Sequence, residues 1–336
     1  MKEFNDYDLL YPNLIMDILA YFKLGSDINK RSVLDFCEVT SIKDDKGKQI
    51  LYQPPIVDKI CRILCDKNEM SRLRKDNGLG LESNYCFIIQ DESSWNANKE
   101  RLRVYYNSLV YGFEYIYNLY KDIVVPLVWE KKNGDYSAGT GFKLFGGIVT
   151  AKHCITDPKN LSIKGFSAEE LSNSKVYIST NENLDIAFID VGKNNEPKVF
   201  TDEGKILQDV LALGYPKIPA FTDFLTAEKA TISSKAISRL TPTKGAITAI
   251  GTNYFARTEL LLITAKIRGG NSGGPVINNE GSIVGVSCQL PNYDKDTGDY
   301  DDLGYGIVVP IKYLYEIVES KANVLDISAD FFRDFI

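Results

Sequence analysis

The sequence predicts two regions of different fold class, a mainly α region over residues 1–121 and a mainly β region over 122–336. Three observations carry this. Apolar residues recur at helical spacing through the first third of the chain. Near residue 121 the texture changes to short apolar segments separated by turns. With 336 residues, 44% apolar and 25% charged, the chain has material for about two ordinary globular cores.

A first helix is expected over 11–22, where Leu14, Ile15, Ile18, Leu19 and Phe22 share a face and Pro12 suits a first turn. A second, over 29–39, groups Val33, Leu34 and Cys37. Pro54-Pro55 introduces a third over 56–66, with Ile60, Ile63 and Leu64 inward. Strands over 70–75 and 85–90 flank the Gly-rich turn Asn77-Gly78-Leu79-Gly80. Three helices followed by a hairpin is the order of a winged-helix domain, read here as a regulatory or recruitment domain. A Tyr-rich helix over 98–120 and a strand over 123–129 lead into the β region. There, strands are expected over 141–150, 175–179, 186–191, 210–213, 260–265 and 283–287. A helix over 313–320 and a short aromatic tail follow.

His153 is the single histidine, so a proton shuttle near neutral pH has one imidazole to draw on. It sits in Thr150-Ala151-Lys152-His153-Cys154, after a Gly-rich apolar run. Asp185 lies 32 residues further on, in Asn183-Leu184-Asp185-Ile186-Ala187, and Ser272 another 87, in Gly269-Gly270-Asn271-Ser272-Gly273-Gly274. A serine hydroxyl needs a base to take its proton as it attacks, and the same group then protonates the leaving amine. A carboxylate on the far imidazole nitrogen fixes the tautomer and balances the charge that forms. Backbone N–H groups of Gly270, Asn271 and Ser272 are candidates to meet the negative charge of a tetrahedral intermediate.

In this chain order the three segments resemble the active site of the trypsin-like (chymotrypsin-fold) serine peptidases, in particular the HtrA/Deg branch. The likeness covers roughly residues 122–320. It includes Gly139-Thr140-Gly141-Phe142, Val210-Leu211-Ala212-Leu213-Gly214-Tyr215-Pro216 and Gly304-Tyr305-Gly306-Ile307-Val308-Val309-Pro310. It implies two six-stranded antiparallel barrels with the site in the cleft between them, cleavage of protein or peptide substrates through an acyl-enzyme, and no cofactor. Candidate pocket residues are Lys266, Ile267, Ser287, Cys288, Gln289 and Gly304. Lys266 points to an acidic preference, Ile267 to a small or medium apolar one, and the Asp-rich loop 292–302 to a basic one; the apolar preference ranks first.

Two departures from the family pattern matter. The chain runs about 16 residues past the last expected helix, so no PDZ domain is expected to follow. Asn271 stands where activated zymogens of the secreted branch have an aspartate, and a neutral amide cannot pair with a newly cut N-terminus. Ordering of the loop by a protein partner, a ligand or the N-terminal domain is expected instead.

The remaining features exclude more than they assign. Phe145 occupies the position from which secreted relatives bridge to the cysteine after the histidine, so the six cysteines are read as thiols. Cys61 and Cys65, four apart on a helix, lack the usual spacing of zinc pairs. The loop 292–302 lacks the terminal glutamate of a calcium loop, so no metal is expected. Residues 1–120 hold 16 Lys and Arg against 18 Asp and Glu, which argues against nucleic acid. The acidic start and the lack of an apolar run approaching ~18 residues point to a cytoplasmic location without a membrane span. Two other readings stay open: a catalytically silent binding module, and a DNA-bound regulator that cleaves itself or a partner.

Overall fold

The computed structural model describes residues 11–43, 49–75, 78, 80–130, 134, 136–156, 159–192, 198–216, 239–253, 258–288, 305–322, 324–325 and 331–334. The chain divides into two compact units, Met1–Ile116 and Tyr117–Ile336.

In the first unit, α1 (Leu14–Tyr21) buries Leu14, Ile15, Ile18 and Leu19, the face marked by their spacing. Helix α2 (Val33–Val39) starts at Ser32, whose hydroxyl accepts the Asp35 N–H at 3.1 Å. Helix α3 (Pro54–Asp66) includes both prolines in its first turn, where a missing N–H costs no hydrogen bond, so it begins earlier than 56. Strands β1 (Ser41–Lys43) and β2 (Gln49–Leu51) pair between α2 and α3. They are too short to show a period in the sequence. Strand β3 (Ser71–Arg74) pairs with β4 (Asn84–Cys86). The latter stops short of the expected 85–90 because Phe87 leaves the hairpin and exchanges backbone hydrogen bonds with Phe22 and Leu24. After α4 (Glu92–Ala97), α5 (Lys99–Tyr120) is not the continuous helix expected: Gly112, at φ 68° and ψ −153°, interrupts it.

The second unit holds two seven-stranded sheets. The first contains β5 (Val124–Glu130), β6 (Tyr136–Leu144), β7 (Gly147–Thr150), β8 (Asn160–Ile163), β9 (Lys175–Ile178) and β10 (Ala187–Asp190), ordered β8-β5-β6-β7-β10-β9. Among the described residues no pairing joins its outer strands, so it forms a half-barrel. The run 141–150 is a hairpin rather than one strand. It turns at Phe145 and Gly146, with φ of 53° and 78°, the turn geometry that suits the twist of paired strands.

The second sheet contains β11 (Phe200–Thr201), β12 (Asp209–Gly214), β13 (Thr241–Asn253), β14 (Thr258–Ile263), β15 (Pro275–Asn278), β16 (Ser282–Cys288) and β17 (Gly306–Pro310). Strands β12 to β17 close into a six-stranded barrel through the β16–β17 pairing, and β11 lies parallel on β16. Its core gathers Val210, Ile247, Ile263, Val276, Val284 and Val308.

Helices α6 (Ala168–Ser172) and α7 (Lys312–Ser320) complete the regular elements before a C-terminal strap. Its strand β18 (Val324–Leu325) pairs with β9, and Phe332, 5% exposed, enters the core of the half-barrel beside Leu127, Ile148 and Leu161. The Arg333 N–H donates to the Leu161 carbonyl at 3.0 Å, and Asp334 accepts the Ala168 N–H at 2.8 Å. Among the described residues, no helix is long and apolar enough to cross a membrane.

Candidate active site

Strand register brings His153 and Asp185 together. β7 and β10 are antiparallel with Thr150 opposite Ala187, so the residues after Thr150 and before Ala187 emerge at one end of the sheet. His153 rides a single 3-10 turn, Lys152–Cys154, anchored by Ala151, Cys154 and Ile155, all fully buried. Asp185 is flanked by buried Leu184 and Ile186. The carboxylate grips the histidine at two points. One oxygen accepts the His153 backbone N–H at 2.9 Å, and the other meets imidazole Nδ1 at 2.6 Å.

The two groups shift each other's titration. Burial, the largest single influence, opposes the imidazolium, but the Asp185 hydrogen bond and charge together with Cys154 outweigh it and lift the His153 pKa to about 10. Burial likewise opposes the Asp185 carboxylate, and the His153 contacts prevail and hold it below its ordinary value.

Ser272 sits in the turn that leads into β15 and is 3% exposed. Its carbonyl accepts the Thr140 N–H of β6 at 2.8 Å, which ties the serine turn to the sheet carrying His153. Gly273, at φ 90°, makes that approach feasible: a Cβ there would lie 2.1 Å from the Thr140 carbonyl oxygen and 2.4 Å from the Thr150 hydroxyl. Among the described residues no hydrogen bond joins Ser272 Oγ to His153; the Cys154 thiol, next to the histidine, lies 3.8 Å from the Ser272 carbonyl oxygen.

The backbone around the serine separates the three candidate donors. The Asn271 N–H is committed to the Arg268 carbonyl at 2.9 Å, which removes it from the oxyanion-binding set. The Gly270 and Ser272 N–H groups have no acceptor among the described residues, so those two remain available for a developing oxyanion. The Asn271 side chain is 2% exposed, lies against Gly214, and leaves its Oδ1 without a partner.

Two candidate pocket residues have committed side chains. Ser287, 1% exposed, spends its hydroxyl on the Asn271 carbonyl at 2.7 Å and the Gly274 carbonyl at 3.1 Å, so its side chain braces the serine turn from within. Cys288, 2% exposed, directs its thiol at the Asp185 carbonyl oxygen at 3.3 Å. Ile267 is half-buried against the barrel core and Gly306, whereas Lys266 is exposed. Gln289, Gly304 and the loop 292–302 lie outside the described residues.

Sequence reasoning missed the role of Thr140. Its hydroxyl donates to the Gly270 carbonyl at 2.7 Å and accepts the Tyr215 N–H at 2.9 Å, while its carbonyl accepts the Thr150 hydroxyl at 2.7 Å. One buried residue thereby joins β6, the serine turn and the end of β12. The segment 139–142 was visible as a signature, but the distant partners Gly270 and Tyr215 are not readable from its letters.

Comparison with known proteins places this geometry in context. Residues 139–286 match the trypsin-like peptidase domain. Putative protease Do-like 12, mitochondrial, of Arabidopsis thaliana is 27% identical over 183 residues, 51% of this chain and 33% of that protein. The probable periplasmic serine endoprotease DegP-like of Pseudomonas fulva (strain 12-X) is 30% identical over 188 residues, 54% of this chain and 34% of that protein. The chain thus spans about a third of the length of these curated relatives. The active form of the Rv3671c protease from M. tuberculosis aligns with a TM-score of 0.45 and 18% identity, over 64% of this chain and 87% of that one.

Proposed function

We propose, from the premise that this chain carries a trypsin-like peptidase domain over residues 139–286, that it is a serine endopeptidase acting through Ser272, His153 and Asp185. The observation that carries the reading is the two-point grip of Asp185 on His153, at 2.9 and 2.6 Å, facing a serine turn bonded to the same sheet.

In the proposed cycle, neutral His153 takes the Ser272 proton through Nε2 as Oγ attacks the substrate carbonyl carbon. The carbonyl π electrons move to oxygen, which is met by the Gly270 and Ser272 N–H groups. The imidazolium, held by Asp185, then gives its proton to the amine as the C–N bond breaks. Water enters by the same route, and the acyl-enzyme is hydrolysed to acid and free serine. Ile267, packed beside Gly306, supports a small or medium apolar side chain at the cleavage site. The unbonded Ser272 hydroxyl and the unpartnered Asn271 Oδ1 support a gated site that a protein partner or ligand completes.

Fluorophosphonate labelling of the whole chain tests this, with and without cell extract, against His153→Ala and Ser272→Ala. The expected result is labelling of wild type alone, and labelling that needs extract identifies the gate. Absence of labelling in both conditions overturns the reading in favour of a silent binding module.

A further inference from the structure

The first unit contains a cavity of about 460 Å³ that the peptidase reading leaves unused. Its floor is aromatic: Phe87, Trp95 and Tyr106 pack with ring centroids 5.2, 6.0 and 6.1 Å apart. Glu69 and Asp91 line it, and no lysine or arginine does. Ile88, Ile89 and Gln90 are consecutive in its wall. Ile88 and Ile89 lie outside regular structure and Gln90 is in a bend, and three consecutive lining residues bring the main chain itself to the opening. That stretch lies beyond the β4 ladder and makes no backbone hydrogen bond among the described residues. Ile88 is 61% exposed.

We propose that this groove binds an extended peptide segment in which lysine or arginine alternates with aliphatic residues. The unpaired edge at residues 88–90 supplies main-chain partners for an added strand. The aromatic floor and Ile88 receive aliphatic side chains. Glu69, which accepts the Tyr105 hydroxyl at 2.7 Å, and Asp91, whose Oδ1 caps α4 by accepting the Ser93 N–H at 2.9 Å, keep their negative charge and attract the basic one, whose charge is also favoured over the Trp95 ring. The inference concerns the first unit alone and does not depend on the activity of Ser272.

The test uses the full chain carrying Ser272→Ala, so that no peptide is consumed, and fluorescence anisotropy of a labelled acetylated and amidated (Val-Lys)3-Val peptide. Its (Val-Glu)3-Val counterpart is the control. The lysine peptide is expected to bind at least about tenfold more tightly, a difference of ~1.4 kcal/mol. Glu69→Gln is expected to weaken its binding by about tenfold. Ile88→Lys, at a position exposed enough to leave folding intact, is expected to weaken it by about as much. Circular dichroism checks that both variants are folded. Equal affinity for the two peptides, no binding of either, or binding unchanged in both folded variants overturns the proposal.

Discussion

The proton on His153 decides when the proposed chemistry can start. With its pKa lifted to about 10, the imidazole is largely charged at neutral pH and cannot yet accept the Ser272 proton. Fluorophosphonate labelling rates should therefore climb with pH into the alkaline range. Asp185→Asn should move the midpoint down towards the ordinary histidine value of ~6.5 and slow labelling by on the order of 10⁴-fold. The same pair gives stability a defined window. A raised histidine pKa stabilises fully below ~6.5 and loses its effect as pH rises towards about 10. The lowered Asp185 pKa stabilises above ~3.8 and loses its effect on acidification. The melting-temperature gap between wild type and Asp185→Asn should thus be widest between about pH 4 and 6.5. A gap that grows above pH 8 would contradict it. His153 was legible because it is the only imidazole, and Asp185 because the segments stand in the chain order His, Asp, Ser of the family they resemble. The spent Asn271 N–H was not legible: a backbone group's partner depends on a turn that the letters leave open.

Elements meet at the serine turn, and two substitutions separate its parts. Thr140→Val keeps shape but leaves the Gly270 carbonyl and the Tyr215 N–H without their bonds. It should cost about 1–3 kcal/mol in urea denaturation and slow labelling at temperatures where the variant is fully folded. Gly273→Ala meets both a positive φ and a carbonyl 2.1 Å away. It should cost about 3 kcal/mol or more, or expel the turn and abolish labelling while far-ultraviolet circular dichroism stays unchanged. Full labelling of either variant at native stability would show that the turn does not depend on these contacts. Strands β5, β9, β10, β12, β14 and β16 could be read from apolar runs, whereas β8, β13, β15 and β17 were not among the expected strands. The Phe145-Gly146 hairpin could not, because apolar residues continue on both sides of the turn and mask it.

Across the whole molecule, the change from helical spacing to short strands was plain in the sequence, as was the site's distribution over distant segments. What composition could not reveal is that the last described segment belongs to an early sheet. The aromatic tail was visible, but not that Phe332 enters the half-barrel core beside Leu161. Phe332→Ala should lower stability by about 3–5 kcal/mol in denaturant, and a loss below ~1 kcal/mol would show that the strap merely rests on the surface. The strap also orders events in time. Translation delivers the strands around His153 first, then the whole second barrel, and residues 324–334 after both. The half-barrel core, delivered by Ile189 except for Phe332, therefore waits for that ring while the whole second barrel is made.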